Sequence, residues 1–166
     1  GLLAHVLMIL DDSSPNGLIV DKALSLSGAR LHEVLVESWP RLAGRVTAMA
    51  GALDEVEIAA TDVVVSSHAC GALTDVVLAR AVAGRARVAV LPCCHVLPTG
   101  EAGPLAGWVE GSLATDIMRA VRLEQQGYRV WTQTIPPTIT PKNRSMEPSR
   151  ARWTMKGRLR SPSRSV

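Results

Sequence analysis

Two short β-branched runs organise the hydrophobic pattern of this chain. Val63–Val65 and Val88–Leu91 each end in a cluster of reactive side chains. Between them lies one apolar, helix-length segment closed by Gly84. Strand, helix, strand in that order predicts two parallel strands of one sheet. Upstream, Leu2–Leu10 is so uniformly apolar that it predicts a helix buried against a sheet. A turn cluster, Asp11–Gly17, leads to a short strand at Leu18–Val20 that ends at Asp21. Ser25–Trp39 has helical spacing through Leu31, Val34 and Leu35, and Pro40 breaks it. Arg45–Met49 reads as a weak strand and Ala50–Ala60 as a loop.

Beyond His95, the Gly- and Pro-rich stretch Val96–Gly107 predicts a loop long enough to act as a lid. Ser112–Gln126 predicts a helix with Leu113, Ile117, Ala120, Val121 and Glu124 at helical spacing. Ser112 is its expected N-cap and Gly127 its stop. Tyr128–Ile135 predicts a strand, and Thr138–Arg144 a short extended piece. Alternation of this kind implies an α/β fold with a mostly parallel sheet.

Composition adds a second region. Residues 145–166 are rich in Ser, Pro and Arg and poor in apolar anchors, which predicts a disordered tail behind a domain at 1–144. The net charge of +3 divides unevenly: the chain from Lys142 onward carries +7 and residues 1–141 carry −4. The tail is thus the part suited to nucleic acid, with Trp153 among its arginines. The 166 residues suffice for one core without disulfides. Three cysteines, two of them adjacent, make no secreted disulfide framework and point to a reducing, cytoplasmic setting. The apolar N-terminal run lacks a basic flank and is too short to span a membrane. Nothing in the pattern calls for an obligate protein partner. The start at Gly1, inside an apolar run, suggests a fragment or a processed product.

The candidate chemistry lies at the strand ends. In parallel sheets ligands bind beyond the carboxyl ends of the strands, where His68, Cys70, Cys93, Cys94 and His95 all fall. Residues two apart on an extended segment face the same way, so His68 with Cys70 and Cys93 with His95 form two pairs. They can line a pocket, act directly on a substrate, or converge as four zinc ligands. Single-residue spacing argues against zinc, and no metal is expected. Asp21, ending a strand before a helix, suits the hydroxyls of a ribose or a solvated turn equally well. Thr74 and Asp75 suit a ligand-binding loop or simple helix capping.

Ser66, His68, Cys70, Gly71, Thr74 and Asp75, followed by Cys93-Cys94-His95, resemble the signatures of a family. It is a branch of the class I S-adenosylmethionine-dependent methyltransferases that includes tRNA ribose 2′-O-methyltransferases. Ile139–Arg144 resembles that family's closing segment. The resemblance spans roughly residues 1–144. It implies a Rossmann-like three-layer sandwich with a seven-stranded sheet, whose central first strand is missing from this sequence. It implies S-adenosylmethionine as cofactor and RNA, tRNA above all, as substrate. Gly1 and Leu2 would close the glycine-rich loop, Asp21 would hold the ribose, and Leu53 would flank the adenine. Ser67, His68, Ala69 and Cys70 would form the floor beside the methyl group. His68 and His95 are the candidate bases. Two other readings stay open: a catalytically inactive methyltransferase-like fragment that serves as a binding module, and a zinc-binding α/β domain.

Overall fold

The computed structural model describes residues 1–92, 95, 103–140 and 144–149. Four helices and six strands follow one another as α1 (Leu2–Leu10), β1 (Gly17–Asp21), α2 (Leu26–Ser38), β2 (Val46–Ala50), β3 (Val63–Ser66), α3 (Ala72–Ala83), β4 (Arg87–Val90), α4 (Gly111–Gln125), β5 (Arg129–Thr134) and β6 (Arg144–Ser149). The protein is a mixed α/β fold, as the alternating pattern implies.

The strands form two sheets. β1 and β2 pair in parallel, Gly17 opposite Val46 through Asp21 opposite Ala50. The other sheet runs β3-β4-β6-β5. Its β3–β4 ladder is parallel, with Val63 opposite Arg87 and Ser66 opposite Val90. β6 is antiparallel to both β4 and β5. Among the described residues, β1, β2, β3 and β5 each keep one unpaired edge, and no ladder joins the sheets.

Two helix boundaries have a clear chemical cause. The Ser25 hydroxyl accepts from Gly28 N–H and caps α2. Gly84 ends α3, and there the chain passes close to another backbone. A β-carbon on Gly84 would lie 2.3 Å from the Ile58 carbonyl oxygen, so only glycine fits.

Two apolar clusters hold the fold. The larger unites Val77, Leu78 and Ala81 of α3, Val88 and Val90 of β4, Leu123 of α4, and Tyr128 and Met146. The Tyr128 hydroxyl lies within hydrogen-bond distance of the carbonyls of Ala81 and Ala86, at 3.2 and 3.0 Å. The smaller joins Met8 of α1 to Leu42 and Val46.

Four expectations need correction. α1 is not buried all round: only His5 and Met8 are, while Leu2, Leu3, Val6, Leu7 and Leu10 are exposed. A two-stranded sheet, with strands about 5 Å apart, is too narrow to cover more than one stripe of a helix. The cap of α4 is Glu110, whose carboxylate accepts from the N–H groups of Ser112 and Leu113, and Ser112 sits inside the helix. The most buried face of α4 carries Ala114, Asp116, Arg119 and Leu123; of the expected positions Ala120 packs against the larger core, whereas Val121 is exposed. Residues 145–149, assigned by composition to the tail, complete β6 between β4 and β5 with Met146, Pro148 and Ser149 buried. Proline cannot donate to a ladder, and the β4–β6 pairing is a single bridge, Val90 to Met146. The remainder of the expected tail, from Arg150, lies outside the described residues, as does 96–102 of the loop expected at Val96–Gly107, whose last part, Gly103–Gly107, is a short 3-10 helix. No helix of the described residues is long and apolar enough to cross a membrane.

Candidate functional site

The carboxyl ends of β3 and β4 lie side by side. Leu91 N–H donates to Ser66 C=O at 2.9 Å, extending the ladder by one bond before the chains part. From Ser66 the chain turns through Ser67, His68, Ala69 and Cys70 into α3. Gly71, at the N-cap, has φ +57° and ψ −130°, a left-handed conformation that favours glycine.

The signature residues that follow do not cap the helix, since α3 has no side-chain cap. The buried Thr74 hydroxyl reaches back to the Ala69 carbonyl and closes the loop on itself. Asp75 turns toward α4 and takes Arg119 in a two-bond ion pair. Both residues therefore shape and anchor the turn.

The loop divides its side chains by environment. Ala69 is 3% exposed and belongs to the core, so only its backbone can face a ligand. His68 and Cys70 are exposed and Ser67 is partly buried. Among the described residues His68 has no hydrogen-bond partner.

His95, beyond the end of β4, differs in every respect. Its side chain is 9% exposed, and its Nε2–H donates to Asp116 Oδ1 at 2.8 Å. Asp116 lies in α4 with its side chain 7% exposed. Its Oδ1 also faces Arg119 Nη1 at 3.4 Å, and its Oδ2 accepts from Arg144 Nε at 3.0 Å. Arg119, 2% exposed, further donates to the Gly71 carbonyl at 3.2 Å. Arg144 of β6 also donates to the Ser112 hydroxyl. One charge network thus links the β3–α3 turn, the end of β4, the start of α4 and β6. Burial alone would make Arg119 easier to deprotonate. The hydrogen bonds and charge of Asp75, and then of Asp116, outweigh that and hold it above the ordinary arginine range.

The other predicted residues sit on the two-stranded sheet or near it. Asp21 ends β1 and is exposed, with its carbonyl accepting from Gly51 N–H at 2.9 Å. Its carboxylate has no partner among the described residues. Gly1 is the N-cap of α1 and its carbonyl lies 2.8 Å from His5 Nδ1, while Leu2 is exposed. Leu53, in a short 3-10 turn past β2, packs against the larger core. The remaining histidines pair with each other between α1 and α2, His5 Nε2 lying 3.0 Å from His32 Nδ1.

The expected convergence of four side chains is visible in part. His68, Cys70 and His95 occupy the neighbouring ends of β3 and β4, while Cys93 and Cys94 lie outside the described residues. Among the described residues, no three His, Cys, Asp or Glu side chains are arranged to hold a metal ion.

Sequence reasoning passed over Asp116 and Arg119. The available signal was two opposite charges three residues apart, interleaved with Ala114 and Leu123 at helical spacing.

No family model matches the chain, and no curated protein and no solved structure matches it.

Proposed function

We propose that this protein is an S-adenosylmethionine-dependent methyltransferase whose acceptor is a hydroxyl of RNA. The observation that carries the reading is the placement of polar groups at one kind of sheet edge. Asp21 ends parallel strand β1, His68 and Cys70 follow parallel strand β3, and His95 follows parallel strand β4. Sites beyond the carboxyl ends of parallel strands are where α/β sheets bind ligands.

The sheet arrangement supports the Rossmann-like form of the fold. The resembled fold has its first strand at the centre of a seven-stranded sheet. The unpaired edges of β1 and β3 are the two edges that such a strand would join.

The residues present fit the cofactor on its nucleoside side. Asp21 offers an unengaged, exposed carboxylate, the acceptor that ribose hydroxyls need. The turn at Leu53–Glu55 follows β2 and would flank the base, with Leu53 anchored in the core behind it. The backbone of Ser67–Ala69 would serve as floor, since Ala69 turns its side chain away. When bound, S-adenosylmethionine supplies a methyl group already activated on a sulfonium.

What remains for the protein is to position the acceptor and to take up its proton. His68 and His95 both stand at the relevant strand ends. RNA as the substrate rests on the family resemblance and on the charge of +7 from Lys142 onward.

Calorimetric titration with S-adenosylmethionine tests the reading. Saturable binding to one site is expected; heats no larger than those of dilution would overturn it.

A further inference from the structure

We infer that Asp116 is a positioning residue that fixes His95 in its Nε2–H tautomer, leaving Nδ1 as the proton acceptor for the substrate hydroxyl. The inference rests on the functional reading above, in which a hydroxyl must lose its proton.

The tautomer follows from the geometry. An ionised carboxylate only accepts hydrogen bonds, so the imidazole nitrogen 2.8 Å from Asp116 Oδ1 carries the hydrogen. A neutral imidazole has one N–H. With the hydrogen on Nε2, the lone pair that can take a proton is on Nδ1.

Asp116 is itself held from both sides. Arg119 Nη1 at 3.4 Å faces one oxygen and Arg144 Nε at 3.0 Å faces the other. Arg119 is tied in turn to Asp75 and to the Gly71 carbonyl. The carboxylate therefore cannot swing away without breaking its contacts to Arg119 on its own helix, to Arg144 of β6 and to His95. This is a supporting shell around one ring nitrogen, the arrangement that keeps a reacting group in a fixed pose.

His68 has no equivalent. It is exposed, and no described residue holds either of its nitrogens. The structure thus separates two histidines that the sequence leaves equal.

In the step itself, the hydroxyl proton passes to Nδ1 and the electron pair of the O–H bond stays on oxygen. The resulting imidazolium donates from Nε2 to Asp116, so the positive charge forms beside a carboxylate already in place.

Long-range nitrogen–proton correlation NMR on the isotope-labelled full chain tests this without any turnover. Spectra are taken at alkaline pH, and His95→Gln identifies the resonances. The expected wild-type pattern is protonated Nε2 and unprotonated Nδ1. Asp116→Asn should shift His95 toward a mixture of tautomers. Asp75→Asn, which relaxes Arg119 without touching His95, should leave the pattern unchanged. A wild-type His95 protonated on Nδ1 would overturn the inference, even if Asp116→Asn fails to fold. So would a folded Asp116→Asn protein with the wild-type pattern. The expected spectra from a protein that transfers no methyl group would overturn the functional reading and leave the positioning by Asp116 standing. The contrary spectra from an active enzyme would overturn the positioning alone.

Discussion

Arg119 of α4 grips Asp75 of α3 through two hydrogen bonds, Nε to Oδ1 at 2.9 Å and Nη2 to Oδ2 at 2.7 Å. The guanidinium is buried while the carboxylate is partly open to solvent. Its third partner, Asp116, is buried as well. Removing Arg119 therefore takes both bonds from Asp75 and one of three partners from Asp116, which keeps His95 and Arg144, whereas removing Asp75 leaves the guanidinium with Asp116.

Arg119→Met should accordingly cost more stability than Asp75→Asn, because it removes the buried group that serves both carboxylates. Taking one partner from a buried ion pair costs about 3–5 kcal/mol. Urea denaturation measures it. Asp75→Asn should lose less, because Asp75 is the exposed member. Equal losses would mean that the pair acts as a surface contact only.

Gly84→Ala should destabilise the fold without any help from backbone strain, because Gly84 lies at φ −77°. The added carbon would sit 2.3 Å from the Ile58 carbonyl oxygen. Forcing apart packed backbone costs about 1–3 kcal/mol. A thermal melt unchanged from wild type would show that the Ile58 segment moves freely.

Several of these features were legible in the sequence. The β-branched runs gave away β3 and β4 because branched side chains suit a pleated, partly buried surface. Ser25 marks a helix end through chemistry that acts within a few residues, its hydroxyl accepting from Gly28 N–H. What escaped depends on partners distant in sequence. Asp116 and Arg119 look like solvated helix charges until α3 supplies Asp75 and β6 supplies Arg144. Residues 145–149 look like tail until β4 and β5 flank them. The exposure of α1 reflects how few strands it meets, which no local pattern records. His68 and His95 share a strand-end setting, and only tertiary contacts tell them apart.

Glu110 ties the start of α4 to pH. Its carboxyl is held down to about 2, first by the Ser112 hydroxyl, then by the N–H groups of Ser112 and Leu113, with Arg144 adding its charge. A carboxyl lowered on folding stabilises the native state above its unfolded pKa. That contribution is lost as pH falls from the ordinary glutamate range toward about 2. Wild type and Glu110→Ala should therefore differ in melting temperature at neutral pH and converge in acid. A constant difference across that window would contradict the capping role.

Asp21→Ala separates cofactor binding from folding. The side chain is exposed and makes no hydrogen bond or ion pair with a described residue, so stability should stay within about 0.5 kcal/mol of wild type. Losing hydrogen bonds from ribose hydroxyls to a charged acceptor should weaken S-adenosylmethionine by about 1.5–3 kcal/mol. An unchanged dissociation constant would return Asp21 to the role of a turn residue.

The most direct measurement is transfer of a tritiated methyl group from S-adenosylmethionine to unmodified tRNA. The account predicts label on a ribose hydroxyl with the wild-type protein, and a large loss of turnover in His95→Ala with cofactor affinity retained. Wild-type protein that binds the cofactor yet labels no RNA would contradict the assigned substrate. Label that persists undiminished in His95→Ala would contradict the assigned proton acceptor.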